Sequence, residues 1–201
     1  INEGRTSAIY RAIDNNNINC ILKVMNSVNV SSQDIERLNL EYEIIKQIDS
    51  EGIIKVHSIK NNNDSVILIL EDFDGITLKK YIQENNFLDL KTFLELAIKI
   101  TESVEELHKN YIIHKDLKPQ NILINSQSKQ LKIIDFGNSS FISKESIDTQ
   151  NILHGTLKYI SPEQTGRMNR PVDYRTDFYS LGITFYEMLT GDVPFKSDDP
   201  M

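Results

Sequence analysis

Strand-like alternation fills the first third of this chain, and helical periodicity takes over afterwards. Residues 8–13 and 19–25 read as strands, separated by Asp14-Asn15-Asn16-Asn17, whose short polar side chains favour a turn. Ser31-Ser32-Gln33-Asp34 offers N-cap candidates. From Ile35 onward Leu38, Tyr42, Ile45 and Ile48 recur at the spacing of one helix face. Two more strands are predicted at 53–59 and 65–71, around Asn61-Asn62-Asn63-Asp64. This third is thus a sheet with one helix.

Past Asp72-Phe73-Asp74-Gly75 the pattern predicts a short helix over 77–85 and a long one over 90–110. In the long helix Leu90, Phe93, Ala97, Ile100, Val104 and Leu107 form one apolar stripe. Short strands are predicted at 122–124 and 131–134. Residues 174–190 are apolar on nearly every side, through Phe178, Leu181, Ile183, Phe185, Met188 and Leu189, which predicts a buried central helix. A sheet part and a larger helical part therefore meet near residues 71–75.

Composition narrows the class. With 39% hydrophobic and 25% charged residues, the 201-residue chain reads as a folded protein. A net charge of −7 gives no footing for nucleic-acid binding. Cys20 is the only cysteine, so no intrachain disulfide can form, and with four scattered histidines it shows no zinc-ligand spacing. His57, His108 and Cys20 are read as packing or surface residues. No apolar run approaches the roughly 20 residues that span a bilayer, and no signal peptide is visible. A cytoplasmic location is expected. The chain opens on Ile1 and stops at K-S-D-D-P-M, as a piece of something longer would.

The chemistry concentrates between His114 and Gly137: H-K-D-L-K-P-Q-N, an apolar I-L-I, a polar turn, then L-K-I-I-D-F-G. Asp116 and Asp135 each lie beside a predicted strand, and a hairpin would bring them together. Two acids with Lys118 and Asn121 between them are what a nucleotide phosphotransferase needs. They supply a base for the acceptor hydroxyl, an acid and an amide for metal ions, and a lysine near the moving phosphate.

With Lys23 in I-L-K-V, Glu41 in L-E-Y-E-I-I-K, G-T-L-K-Y-I-S-P-E and D-F-Y-S-L-G in the same order, the chain resembles the eukaryotic-type protein kinase family over essentially its whole length. The resemblance implies an α+β, bilobal fold. Its N-lobe (1–71) is a small antiparallel sheet with one helix, followed by a hinge (72–75) and a mainly helical C-lobe (76–201), truncated before the last helices. It implies that Lys23 contacts the α/β-phosphates of ATP and pairs with Glu41, Glu43 pointing elsewhere. Leu70 would be the gatekeeper, and the backbone of Glu71 to Phe73 would read adenine. Asp116 would be the catalytic base, Lys118 the lysine near the γ-phosphate, and Asn121 and Asp135 the Mg²⁺ ligands. Asp177 would brace the catalytic loop, and Ile45, Val56, His114 and Phe136 would form a coupling stack.

The lysine of H-K-D-L-K-P-Q-N and Thr156 favour serine/threonine acceptors in a protein substrate. The stretch from E-Q-T-G-R-M-N-R onward is similar to the N-terminal kinase domain of multisensor hybrid histidine kinases, which implies covalently linked sensor and histidine-kinase modules downstream. The resemblance also puts the partner of Glu163, an arginine, beyond Met201, so residues 1–201 alone are expected to fold poorly.

Three departures stand out. Against G-x-G-x-x-G-x-V the chain reads N-E-G-R-T-S-A-I, keeping only Gly4, so weakened ATP binding is expected. Lys115 replaces the usual arginine before the catalytic aspartate, and lysine cannot copy its bidentate grip on a phosphorylated segment. Phosphorylation at Ser139, Ser140, Ser143, Ser146 or Thr149 is therefore expected to switch activity weakly. Ser161 stands where A-P-E has alanine. The thin glycine loop keeps one alternative open: a pseudokinase, acting as a regulatory or docking module.

Overall fold

The computed structural model describes residues 2–3, 7–26, 31–62, 65–85, 88–144, 157–166 and 170–195. They belong to two compact units, one formed by Ile1–Asp49 and Ile54–Asp74, the other by Ser50–Ile53 and Gly75–Met201.

The first unit is an antiparallel sheet with one helix. Its strands are β1 (Asn2–Glu3), β2 (Ala8–Ile13), β3 (Asn19–Asn26), β4 (Val56–Asn62) and β5 (Ser65–Glu71), in the spatial order β1-β2-β3-β5-β4. The β2–β3 turn forms as its composition demands. Asp14 Oδ1 accepts from the backbone N–H groups of Asn16 and Ile18, each at 2.8 Å, and Asn17 takes a left-handed φ of 63°, which asparagine tolerates.

Helix α1 (Ser32–Lys46) starts at Ser31 with a reciprocal capping box. Ser31 Oγ accepts from Asp34 N–H at 3.2 Å while Asp34 Oδ2 accepts from Ser31 N–H at 3.0 Å. Its inner face meets the sheet in a core of Met25, Leu38, Val66 and Leu68, flanked by Ile35, Tyr42, Val56, Ile59 and Leu70. The strand expected at 53–59 begins instead at Val56. Ile53 belongs to the other unit, where it bridges to Ile133.

The second unit is mainly helical, with β6 (Ile76–Thr77), α2 (Leu78–Asn85), α3 (Leu90–Lys109), β7 (Ile112–Ile113), β8 (Ile122–Ile124), β9 (Leu131–Ile133), β10 (Ser140–Phe141) and α4 (Arg175–Thr190). Strands β8 and β9 form the expected antiparallel hairpin, with Ile122 opposite Ile133, and β6 extends it on the β8 side. Asp89 caps α3, accepting from Lys91 and Thr92 N–H. Leu96, Ala97, Ile100, Val104 and Leu107 are buried on α3, whereas Leu90, expected in the apolar stripe, is exposed.

Helix α4 corrects its expectation more sharply. Its buried side is largely polar: Thr176, Asp177, Ser180, Thr184 and Glu187. Phe178, Tyr186 and Leu189 are exposed. The helix ends at Gly191, whose φ of 81° satisfies a left-handed cap.

Candidate active site

In the first unit Lys23 sits mid-strand in β3, opposite Ile9 of β2 and Leu68 of β5. Its Nζ donates to Glu41 Oε2 at 2.7 Å, from the buried face of α1. The glutamate side chain is 2% exposed and the lysine 13%, so this pair is shielded from solvent screening. Glu43 is exposed, as its position two residues along the helix requires.

Leu70 and Glu71 close β5, and the Glu71 carboxylate accepts from Lys55 N–H at 2.6 Å. Beyond them Arg11 grips Asp72 at 2.7 Å, and Asp72 Oδ1 accepts from Asp74 N–H at 3.1 Å. Phe73, between these acids, is half-buried. Gly4 lies outside the described residues, as do Ser146, Thr149 and Thr156.

The second unit builds a tighter constellation. Asp116 is buried, and its Oδ2 accepts from Lys118 Nζ at 2.7 Å and from Asn121 Nδ2 at 3.1 Å. Asn121 Nδ2 also donates to the Asp116 carbonyl at 2.9 Å. The amide nitrogen is thereby committed to Asp116, which leaves Oδ1 as the atom a hard cation would take. The hairpin carries Asp135 to this end: Ile134 N–H donates to the Asn121 carbonyl at 2.9 Å, one residue before it. Asp135 is exposed and takes a left-handed φ of 64°, a conformation that costs a non-glycine residue about 1–3 kcal/mol.

One carboxylate and one amide oxygen fit Mg²⁺, which binds through few protein groups and keeps water and phosphate in its remaining positions. Among the described residues no group of three or more acidic, histidine or cysteine side chains forms a closed cage.

Backbone ties hold this loop in place. Asp177 is fully buried, and its two oxygens accept from Lys115 N–H at 2.9 Å and His114 N–H at 3.0 Å. His108 Nε2 meets the same carboxylate at 2.8 Å, and its ring packs edge-on against Tyr174 and Phe178. His108 is thus part of the brace, not a packing or surface residue as its sequence context suggested. His114 packs its ring edge-on against the buried Phe136, centroids 4.9 Å apart. Its Nε2 faces the Ile134 carbonyl at 3.2 Å and its Nδ1 accepts from Asp116 N–H at 3.3 Å. The first partner can only accept, so the proton sits on Nε2.

Two expected phosphoacceptors are corrected. Ser139 and Ser140 are buried, and Ser139 Oγ donates to the His114 carbonyl at 3.2 Å. Ser143 is exposed. Sequence reasoning also passed over a buried cluster beneath the S-P-E segment. Glu187, fully buried, is shared by Lys79 and by the hydroxyl of Tyr159. Burial first, and the Glu187 carboxylate second, push the Tyr159 phenol far above its ordinary range. The tyrosine two residues before S-P-E was the available signal, but Lys79 lies 108 positions from Glu187.

A family profile described as the protein kinase domain matches residues 1–201. Among curated proteins, the chain is 32% identical over 203 residues to a probable serine/threonine-protein kinase of Clostridium acetobutylicum, and 34% identical over 203 residues to one of Clostridium perfringens. Both alignments cover all of this chain but only 30% and 29% of those proteins. The serine/threonine-protein kinase PrkC of Bacillus subtilis is 32% identical over 164 residues, covering 82% of this chain and 25% of that protein. The chain therefore belongs to the protein kinase domain family. Members of this family use ATP and Mg²⁺. No helix among the described residues is long and apolar enough to cross a membrane.

Proposed function

We propose that the protein carrying this domain transfers the γ-phosphate of ATP to serine or threonine hydroxyls of a protein substrate, as part of a signalling chain. The observation that carries this reading is the Asp116 carboxylate, buried and held by both Lys118 and Asn121 beside the hairpin that delivers Asp135. Lys118 and Asn121 share one oxygen of Asp116, which fixes the carboxylate's rotation. Asp116 orients the acceptor hydroxyl and takes its proton. Lys118 stays within reach of the transferred group and offsets charge developing there. Asn121 Oδ1 and Asp135 hold the metal, and Lys23, kept in place by Glu41, meets the nucleotide phosphates. Bound Mg·ATP supplies the phosphoryl group and neutralises its charge. Glu71 and Phe73 offer backbone to the adenine, and Gly4 is assigned to the phosphates by its place in the sequence motif alone.

The division into an N-lobe (1–71), hinge (72–75) and C-lobe (76–201) belongs to the same proposal. So does the finer kinship with multisensor hybrid histidine kinases, with linked sensor and histidine-kinase modules, in the cytoplasm. It rests on the local similarity of residues 163–195. The pseudokinase alternative is not favoured, because the curated relatives are named as kinases. The test is phosphotransfer by the full-length protein to a mixed serine/threonine protein substrate, beside Asp116→Asn. Transfer that disappears in the variant supports the reading. Equal signal from both proteins overturns it.

A further inference from the structure

We infer that Gln164 is a positioning residue for Asp116, acting through the carbonyl of Lys115; this deepens the kinase reading and rests on it. Lys115 immediately precedes Asp116 and takes a left-handed φ of 65°, a conformation a lysine does not hold without restraint. Asp177 restrains it from one side, through the Lys115 N–H. The other side is held by Gln164, whose Nε2 donates to the Lys115 carbonyl at 2.9 Å.

That carbonyl and the Asp116 N–H belong to one rigid peptide plane. The N–H end of the plane donates to His114 Nδ1 at 3.3 Å. Gln164 and His114 therefore pin the two edges of the plane from which the Asp116 side chain departs. Asp177 acts only on the planes before it.

Gln164 is itself locked. Its Oε1 accepts from Ser161 N–H at 3.0 Å and lies 3.1 Å from Ser161 Oγ and 3.0 Å from Thr176 Oγ1; the two hydroxyl protons serve both this oxygen and the contact between the hydroxyls. Ser161 and Thr176 are fully buried, and their hydroxyls also meet one another. The amide has one possible orientation. A backbone N–H can only donate, so the oxygen faces Ser161; a carbonyl can only accept, so the nitrogen faces Lys115. This gives a use to the serine standing where A-P-E has alanine: its hydroxyl helps to hold the glutamine that holds the catalytic loop.

The test uses the full-length protein with Gln164→Met, which keeps volume but makes no such bonds, and Gln164→Glu, which keeps the shape. Ionised, the glutamate sets an oxygen against the Lys115 carbonyl; protonated, it donates as the amide did. Both variants are expected to lose about 10- to 100-fold in kcat with KM for ATP within about threefold. The ratio of Gln164→Glu to wild-type kcat should climb at least about fivefold between about pH 8 and pH 6, while that of Gln164→Met stays flat. In Gln164→Met the Asp116 amide should exchange its hydrogen about tenfold faster or more, with the Lys115 amide, held by Asp177, unchanged.

Kcat within about twofold of wild type for both variants, or a Gln164→Glu loss that ignores pH, overturns the inference. So does an Asp116 amide whose exchange is unmoved. If the wild type transfers no phosphate, the kinase reading fails, and the exchange comparison still decides whether Gln164 holds this peptide. If Gln164→Met does not fold, the isosteric Gln164→Glu decides through its pH ratio and, above about pH 7, its own amide exchange.

Discussion

Lys23 and Glu41 hold each other where neither is well solvated, so removing one is worse than removing both. Lys23→Met strands a glutamate that is 2% exposed and is expected to cost about 3 kcal/mol of stability. The double variant Lys23→Met/Glu41→Met should regain most of that, and both should lose phosphotransfer. Denaturant unfolding of the three proteins checks the order, and a double variant less stable than the single one would contradict it. At this scale the sequence was most legible. Asp116, Lys118, Asn121 and Asp135 lie within twenty positions of one another, so local hairpin geometry was enough to gather them. Gln164 and Glu187 were not legible, because their partners lie 49 and 108 positions away and neither residue type announces a role by itself.

Elements were predicted best where capping chemistry and periodicity agreed, as in α1 with its Ser31–Asp34 box. They were predicted worst where polar residues carry the buried face. In α4 the interior positions follow helical spacing, but Asp177 and Glu187 occupy them to accept from donors on other elements, and Ser180 to donate to the Tyr159 carbonyl. Hydrophobicity alone therefore pointed outward. The loop before β4 misled for a related reason: Ile53 is apolar because it pairs with Ile133, not because it begins a strand of the first sheet.

Gly52 shows why that loop approaches so closely. A Cβ there would lie 2.0 Å from Ser103 Oγ and 2.8 Å from Ser103 Cβ on α3. The Gly52 carbonyl accepts from Ile133 N–H at 2.8 Å, two residues before Asp135. Gly52→Ala is expected to destabilise by about 2 kcal/mol, read as a lower unfolding midpoint with unchanged slope. An unchanged midpoint would show that the loop yields freely. Ser31→Ala should cost about 1 kcal/mol through the lost α1 cap, measured in the same way.

Across the whole molecule, two half-buried carboxylates tie stability to pH. Asp34 is held below its ordinary value of 3.8 chiefly by its hydrogen bond with Ser31, and Asp173 chiefly by Arg175. A folded-state value below the unfolded one favours the ionised form on folding. The stability these groups lend is therefore present above about pH 4 and is lost as pH falls through the lowered folded values. Tm should drop below about pH 4, and Asp34→Asn/Asp173→Asn should flatten that drop. An identical acid profile for the double variant would remove these groups from the account.

The central claim is that Asp116 serves phosphoryl transfer to a protein hydroxyl. The most direct measurement is the rate at which the full-length protein moves the γ-phosphate of ATP onto serine and threonine, compared with Asp116→Asn at matched ATP occupancy. We expect the variant to bind nucleotide as the wild type does and to transfer about a thousandfold more slowly. Equal transfer by the two proteins, or none by either with nucleotide bound, would contradict it.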